Sequence, residues 1–425
     1  MRHILAVSVL FLTMVACSTS KKASGTIDRS LVDRVLNTLA ADDMEGRKAP
    51  SPGIEKAAAF LEQEFRKAGL QPLPGAQGFR QEFMIHQAEN LTAEGDWDGT
   101  RLDLSRIIAY TTKADLHWKN GDAEVIKPAA GDRSAIFAAF DREGNTLLVL
   151  DSTNANMFKR LKNFKMAKMD GSGELVIVQA DNIPMNYDLK VSSQLKSDKL
   201  ANIAGMIHGR SRKEENVIFS GHYDHLGYGK PVDGDSLFNG ANDDASGTTA
   251  VVTLANYFSK RHDNERSLVF VAFTAEESGG FGSRYFSTHM TPASVVAMFN
   301  IEMIGTDSKW GTNSAYITGY ERSDFGAILQ EDLQGSGFTF HPDPYPDQNL
   351  FFRSDNATLA RQGVPAHTIS TSKMDSEKFY HTVNDEVGTL DTGNMTEIIK
   401  SIAISSKGII SGKKTPTRVT LKPGE

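Results

Sequence analysis

The chain has 425 residues, with 46 Lys and Arg against 53 Asp and Glu, a formal net charge of −7. That balance leaves no basic surplus to meet phosphates and argues against a nucleic-acid binder. A hydrophobic share of 40% and a charged share of 23% suit a globular core, and the length suits one large domain with an insertion, or two domains.

In chain order, Met1-Arg2-His3 precedes an apolar run from Ile4 to Ala16. The run is too short for a folded membrane span and reads as a signal peptide over residues 1–16. It ends in Met14-Val15-Ala16-Cys17, which resembles a bacterial lipobox. The resemblance implies export, lipidation of Cys17, and a short tether over residues 17–26. Several acyl chains on one cysteine hold a membrane far better than one chain does. The expected location is the bacterial cell envelope, on the periplasmic or outer-membrane side. Cys17 is the chain's single cysteine, so no disulfide forms within it.

Residues 29–41 and 53–69 are predicted helices. In the second, Ala57, Ala58, Phe60, Leu61, Phe65 and Leu70 follow a helical period, with Pro52-Gly53 before it and Gly69 closing it. Residues 79–85 alternate as an edge strand does. Residues 91–194 have another texture: apolar runs at Ile107–Tyr110, Ala135–Phe140, Thr146–Leu150 and Glu174–Val178 alternate with polar turns, beside one basic helix near 155–168. This stretch reads as an inserted β-rich domain. No acidic and histidine constellation occurs in it, and its Lys and Arg residues read as solvated surface. From residue 201 the pattern becomes α/β. Strands are predicted at Ala201–Ile207, Val217–Ser220, Ser267–Thr274 and Val295–Ile301, and helices at Thr248–Ser259, 323–335 and 393–404. The fold class is therefore α/β: a mixed, mostly parallel sheet flanked by helices, with a small β-rich insert. The catalytic domain is expected over 27–90 and 195–412, and a loose polar tail over 413–425.

Ligands of open α/β sheets collect beyond the carboxyl ends of strands. His222 follows the strand Val217–Ser220, Glu276-Glu277 follow Ser267–Thr274, and Glu302 follows Val295–Ile301. Residues two apart in an extended segment share a face, so Asp224 is expected to accept the free ring N–H of His222 and fix its tautomer. The same alternation turns His225 away. In the small-residue loop Gly240-Ala241-Asn242-Asp243-Asp244-Ala245-Ser246-Gly247, one aspartate suits a helix cap and the other a bridge between metals. Glu277 is expected as a metal ligand and Glu276 as the general base that moves a proton to the leaving amine. In Tyr380-His381-Thr382, His381 completes the set and Tyr380 offers a hydrogen bond to an oxyanion. In chain order His222, Asp243, Glu277, Glu302 and His381 suit a two-zinc hydrolase, whose ions stand about 3.5–4 Å apart. The loops over 305–355, with Tyr345, Phe351 and Phe352, supply pocket walls or core.

These segments resemble peptidase family M28, the zinc aminopeptidases. The matching stretches are Ser220 to Gly227, Gly240 to Gly247, Thr274-Ala275-Glu276-Glu277, Asn300 to Gly305 and Tyr380-His381-Thr382, with Met44-Glu45-Gly46-Arg47, Ser354-Asp355 and Gly363-Val364-Pro365. The likeness covers residues 27–90 and 200–405. It implies His222 and Glu302 on one zinc, Glu277 and His381 on the other, Asp243 bridging, and Glu276 as base. It implies peptides with a free N-terminus as substrates, and an insert often of the protease-associated type. One departure stands out: many relatives carry Asp where this chain has Glu302. The alternatives are a glutaminyl cyclase, which uses one zinc and an acid at the Glu276 position, a carboxypeptidase, and a non-catalytic binding protein that has lost metal ligands. Side-chain preference and oligomeric state have no sequence signal.

Overall fold

The computed structural model describes residues 26–164 and 166–422. The predicted signal peptide, Cys17 and the tether through Gly25 lie outside the described residues. The first helices are α1 (Arg29–Leu39) and α2 (Pro52–Ala68). Ser51 caps α2 by accepting the Ile54 N–H, Pro52 opens it, and Gly69 closes it at φ 79°, as those residue types favour.

The main sheet is built from β1 (Arg80–Trp97), β2 (Tyr187–Ile207), β3 (Arg212–His222), β4 (Arg266–Phe273), β5 (Val295–Ile301), β6 (Ser314–Ile317), β7 (Thr339–Pro342) and β8 (Ala366–Ser370). Their order is β7-β6-β8-β5-β3-β4-β2-β1, with a short strand, Thr100–Asp103, outside β1. The middle, β8-β5-β3-β4, is parallel, and the β4-β2-β1 side is antiparallel. This is the mixed sheet expected, with its parallel part at the centre.

The central strands are apolar throughout because both faces are covered. On one face, Phe219 of β3 lies 5.4 Å from Phe270, 4.9 Å from Phe299 and 5.5 Å from Phe258, ring to ring. Here α1 and α2 pack with α3 (Gly247–Ser259) and α4 (Thr392–Ser405). On the other face Ile218, Val269, Val271 and Met298 pack against Phe286, Leu359 and Val419. Truncating a core Phe such as Phe219 to Ala costs about 3–5 kcal/mol. The start of α3 runs so close to β5 that a Cβ on Gly247 would sit 2.0 Å from the Ile301 carbonyl oxygen. Only glycine fits there.

β1 and β2 form one long antiparallel ladder that crosses the expected insert boundaries, with one shift of register between Glu89 and Thr92. Because β2 is antiparallel to β4, with Ile203 opposite Ala272 near the end of β4, the residues of β2 before Asn202 run past the carboxyl edge of the parallel strands. The insert therefore rises on the side of the sheet where His222, Glu276 and Glu302 emerge. It carries a second sheet, with Ile107–Tyr110, Leu175–Gln179, Thr146–Leu150 and Glu124–Ile126 in that order.

Three expectations are corrected. Residues Arg133–Ala138, in the stretch read as a strand at Ala135–Phe140, are helical. They connect Glu124–Ile126 to Thr146–Leu150, which are parallel, and parallel neighbours need a crossover; Asp132 caps the helix by accepting the Ala135 N–H. The basic helix ends at Lys162, earlier than expected. The tail is not loose over 413–420: the buried Arg266 guanidinium donates to the Ile409 and Lys414 carbonyl oxygens at 2.7 Å each, and the Val419 N–H donates to Gly363 O at 3.0 Å.

Candidate metal centre

The three strand-end positions come together. His222 is the last residue of β3, Glu276 and Glu277 stand in the turn after β4, and Glu302 follows β5. Asp243 joins them from the Ala241–Ser246 segment ahead of α3, and His381 from the loop before α4. Ala275, Met303 and His381 hold positive φ values of 57°, 52° and 54°. Non-glycine residues seldom adopt that region, and such backbone gathers at functional sites.

Asp243 has a divided geometry. Its Oδ1 lies 3.2 Å from His222 Nε2, and its Oδ2 lies 3.2 Å from His381 Nε2. Glu302 brings one carboxylate oxygen into a cluster with His222 and Asp243 whose ligand atoms all fall within 4.8 Å of one another. Glu277 Oε1 lies 3.1 Å from His381 Nε2. The longer reach of Glu302, relative to an Asp, thus still meets its partners.

The supporting contacts differ from the expected ones. His222 Nδ1 donates to the Asp224 backbone oxygen at 3.2 Å, while the Asp224 carboxylate is 3.8 Å away. Either way Nε2 keeps the free lone pair. The Asp224 carboxylate instead accepts the Glu276 N–H at 3.0 Å and the Glu277 N–H at 3.3 Å. It faces the turn after β4 because β3 and β4 lie side by side, His222 opposite Phe273. His225 is also corrected: its Nδ1 lies 2.9 Å from Glu277 Oε1 and 3.9 Å from Asp243 Oδ2. Alternation misplaced it because β3 ends at His222.

Asp244 takes the capping role. It accepts the Gly247 N–H at 2.9 Å, the Met303 N–H at 3.0 Å and the His222 N–H at 3.2 Å. Asp385, which sequence reasoning missed, accepts the Asn242 N–H at 2.7 Å and the Asp243 N–H at 3.0 Å, and so aims Asp243. Nothing in its local pattern marks it. Arg47 is fully buried and donates to four carbonyl oxygens: Tyr223 at 2.8 Å, Leu39 at 2.7 Å, Asn239 at 2.6 Å and Gly240 at 2.8 Å. It ties the N-terminal helices to the loop that carries Asp243. Its motif, Met44 to Arg47, drew attention in the sequence without a role.

Burial and mutual repulsion hold protons on this cluster. Glu302 and Asp224 are each pushed up to about 7, chiefly by burial, and burial drives Glu276 well above the usual carboxylate range. Burial opposes the charge on His222, but Asp243 and Glu276 overcome it and raise its pKa. Tyr380, stacked on His381 at 3.9 Å between ring centres, is pushed upward by burial and the surrounding carboxylates, so it keeps its hydroxyl proton.

The donor set fits zinc. The buried His222 Nε2 and Glu302 Oε2 have no hydrogen-bond partner, although buried polar atoms are nearly always paired. His222 Nε2 and Asp243 Oδ1 are close yet not aligned with each other; both are free to face a third atom. Imidazole and carboxylate are zinc's usual nitrogen and oxygen ligands. Beside the cluster lies a small open cleft of about 60 Å³, lined by Asp243, Glu276, Glu277, Glu302 and Tyr380, with Tyr316, Leu350 and Met374 in its wall. Of the suggested wall residues, Phe351 is core instead, and Tyr345 packs behind Tyr316 at 5.9 Å.

A family model described as Peptidase family M28 matches residues 202–404. A vacuolar membrane protease of Schizosaccharomyces pombe is 23% identical over 232 residues, 52% of this chain and 25% of that protein. The chain spans about a quarter of the length of the curated relatives it matches. Among solved structures, an aminopeptidase from Aneurinibacillus sp. strain AM-1 superposes with a TM-score of 0.54 at 18% identity, covering 95% of this chain and 98% of that one. A zinc aminopeptidase from Bacillus subtilis gives 0.56 at 16% identity, covering 93% and 98%. At these identities the structural likeness concerns the fold. Among the described residues, no helix is long and apolar enough to cross a membrane.

Proposed function

This chain belongs to peptidase family M28, and from that premise we propose that it is a di-zinc exopeptidase that removes amino acids from the free N-termini of peptides. The observation that carries the two-metal reading is the divided carboxylate of Asp243, one oxygen toward His222 and the other toward His381. His222 and Glu302 would hold one zinc and Glu277 and His381 the other, with the Asp243 carboxylate shared between them. The buried ring of His225 then serves Glu277, donating from Nδ1 to Oε1. Zinc held there would polarise the scissile carbonyl and lower the pKa of water.

The chain's own residues do the rest. Glu276 lines the cleft beside Glu277 and Glu302; it takes a proton from the attacking water and delivers it to the leaving amine. Asp224, by accepting two consecutive N–H groups, holds Glu276 and Glu277 in one orientation. Tyr380 donates its retained hydroxyl proton to the developing oxyanion. The N-terminal pattern supports a place in the bacterial cell envelope, with the chain anchored through lipid on Cys17 and peptides as partners.

The test is mass spectrometry of a mixed peptide library incubated with the zinc-loaded chain. Stepwise loss from free N-termini, with blocked peptides untouched, is expected; ammonia loss from N-terminal glutamine alone, or trimming from the other end, would overturn the proposal. Glu276→Ala should lower turnover by about a hundredfold or more while zinc stays bound, and surviving turnover would remove Glu276 as the base.

A further inference from the structure

Among the described residues, the cleft lining includes one Arg or Lys side chain, and nothing in the mechanism above uses it. Arg353 lines the same cavity as Asp243, Glu276, Glu277 and Glu302. Among the described residues it makes no ion pair and no side-chain hydrogen bond, although the cavity it lines holds those four carboxylates. A guanidinium whose task was to neutralise them would be paired with one. Its backbone is held: the Arg353 N–H donates to Leu350 O at 3.1 Å, and the neighbouring Ser354 Oγ accepts from Asn300 Nδ2, on β5, at 2.6 Å. Arg353 is thus an exposed residue of the cleft wall, on a fixed backbone and with its guanidinium unpaired.

The chemistry that such a guanidinium recognises is a carboxylate, which it meets with two parallel N–H···O bonds. The cavity wall away from the acidic cluster is neutral, formed by groups such as Tyr316, Thr318, Ser370 and Met374. We infer that Arg353 forms a carboxylate subsite of the cleft, so that the site favours substrates bringing a carboxylate to it. Two parts of a peptide carry that group: an acidic side chain on the first residue, or the free C-terminus of a dipeptide. The inference rests on the aminopeptidase reading of the cleft.

The test compares matched pairs on the zinc-loaded full chain and on Arg353→Gln and Arg353→Lys. Glu-Ala-amide against Gln-Ala-amide isolates the side chain; Ala-Ala against Ala-Ala-amide isolates the C-terminus. In the wild type, one pair should differ in kcat/KM by about tenfold or more in favour of the carboxylate. That ratio should fall to about one in Arg353→Gln and recover partly in Arg353→Lys. The pair that responds names the source. Ratios near one in the wild type, or a ratio that survives in Arg353→Gln, would overturn the inference. Calorimetry supplies a readout apart from turnover, with L-glutamate against L-glutamine and L-alanine against L-alaninamide as ligands. If no peptide is cleaved, the aminopeptidase reading falls, and the binding ratios decide the carboxylate subsite by the same criteria.

Discussion

Replacing Arg47 by Met keeps an unbranched apolar stem and removes its donors. Arg47 reaches four carbonyl oxygens in segments that are far apart in sequence. The Gly240 oxygen retains a second partner, the Ala245 N–H at 3.2 Å. Those of Tyr223, Leu39 and Asn239 would be left in a buried space. A buried polar group stripped of its partner costs about 1–3 kcal/mol, so the substitution should remove at least about 3 kcal/mol, a large part of the about 5–15 kcal/mol that holds a domain folded. The damage should extend to the metal site, since two of the four carbonyls belong to Asn239 and Gly240, next to the Asp243 loop. The charge of Arg47 also interacts with Asp385, Asp224, Asp243 and Asp244. The assay is urea unfolding of zinc-free Arg47→Met and wild type, with a chelator competition for zinc affinity. Unchanged stability in the variant would refute the assignment of Arg47 as the tie between the helices and the loop.

Asp385→Asn leaves one oxygen to accept and turns an amide toward an N–H, so zinc affinity should fall about 10–100-fold by chelator competition; an unchanged affinity would show that Asp385 does not aim Asp243. His367 is buried and neutral, donating from Nδ1 to Thr318 O at 2.9 Å and accepting the Ser323 hydroxyl at 2.7 Å. Burial lowers its pKa to about 4, below the ordinary value near 6.5. The unfolded chain therefore binds the extra proton first, and stability falls as pH drops from about 6.5 to about 4, by about 3 kcal/mol in all. The unfolding free energies of wild type and His367→Gln should converge by that amount between pH 7 and pH 4; a constant difference would refute it. Arg266→Met should release the C-terminal segment, seen as rapid tryptic cleavage after Lys413, Lys414 or Arg418 in the variant and slow cleavage in the wild type; equal rates would count against the pinning contacts.

How much of this was legible in the sequence depended on whether a residue's place follows from local pattern. His222, Glu277 and Glu302 were readable because long apolar runs locate where a buried strand leaves the sheet, and the residues just past that point face the ligand edge. Asp243 and Asp244 were readable only as a pair, since their roles depend on whether β5 and β3 present N–H groups to one of them. His225 was misjudged because alternation holds within a strand and β3 stops three residues earlier. Asp385, and Arg47 at three of its four acceptors, act on backbone groups more than a hundred residues away, which no periodicity encodes. In the insert, Arg133–Ala138 is apolar enough for either state, and its helix follows from the parallel pairing of its two neighbouring strands, a fact available only in three dimensions.

The acids of the site sort themselves by what satisfies them. Asp224, Asp244 and Asp385 each accept two or three backbone N–H groups, and fixed donors of that kind hold a carboxylate in one orientation. They position the chain segments on which the others stand. Asp243, Glu277 and Glu302 touch imidazole nitrogens, or nothing, with their oxygens, and remain available for a cation. Asp355 belongs to neither group. It is buried, neither oxygen has a hydrogen-bond partner, and burial lifts it to about 6. Its charge bears on Glu276 and Glu302, so it adds to the burial that raises the pKa of the proposed base. The same reasoning explains how so acidic a cleft can fold: backbone N–H groups and Arg47 offset the positioning acids, and at Asp243 and Glu277 the facing imidazoles outweigh burial and lower the pKa.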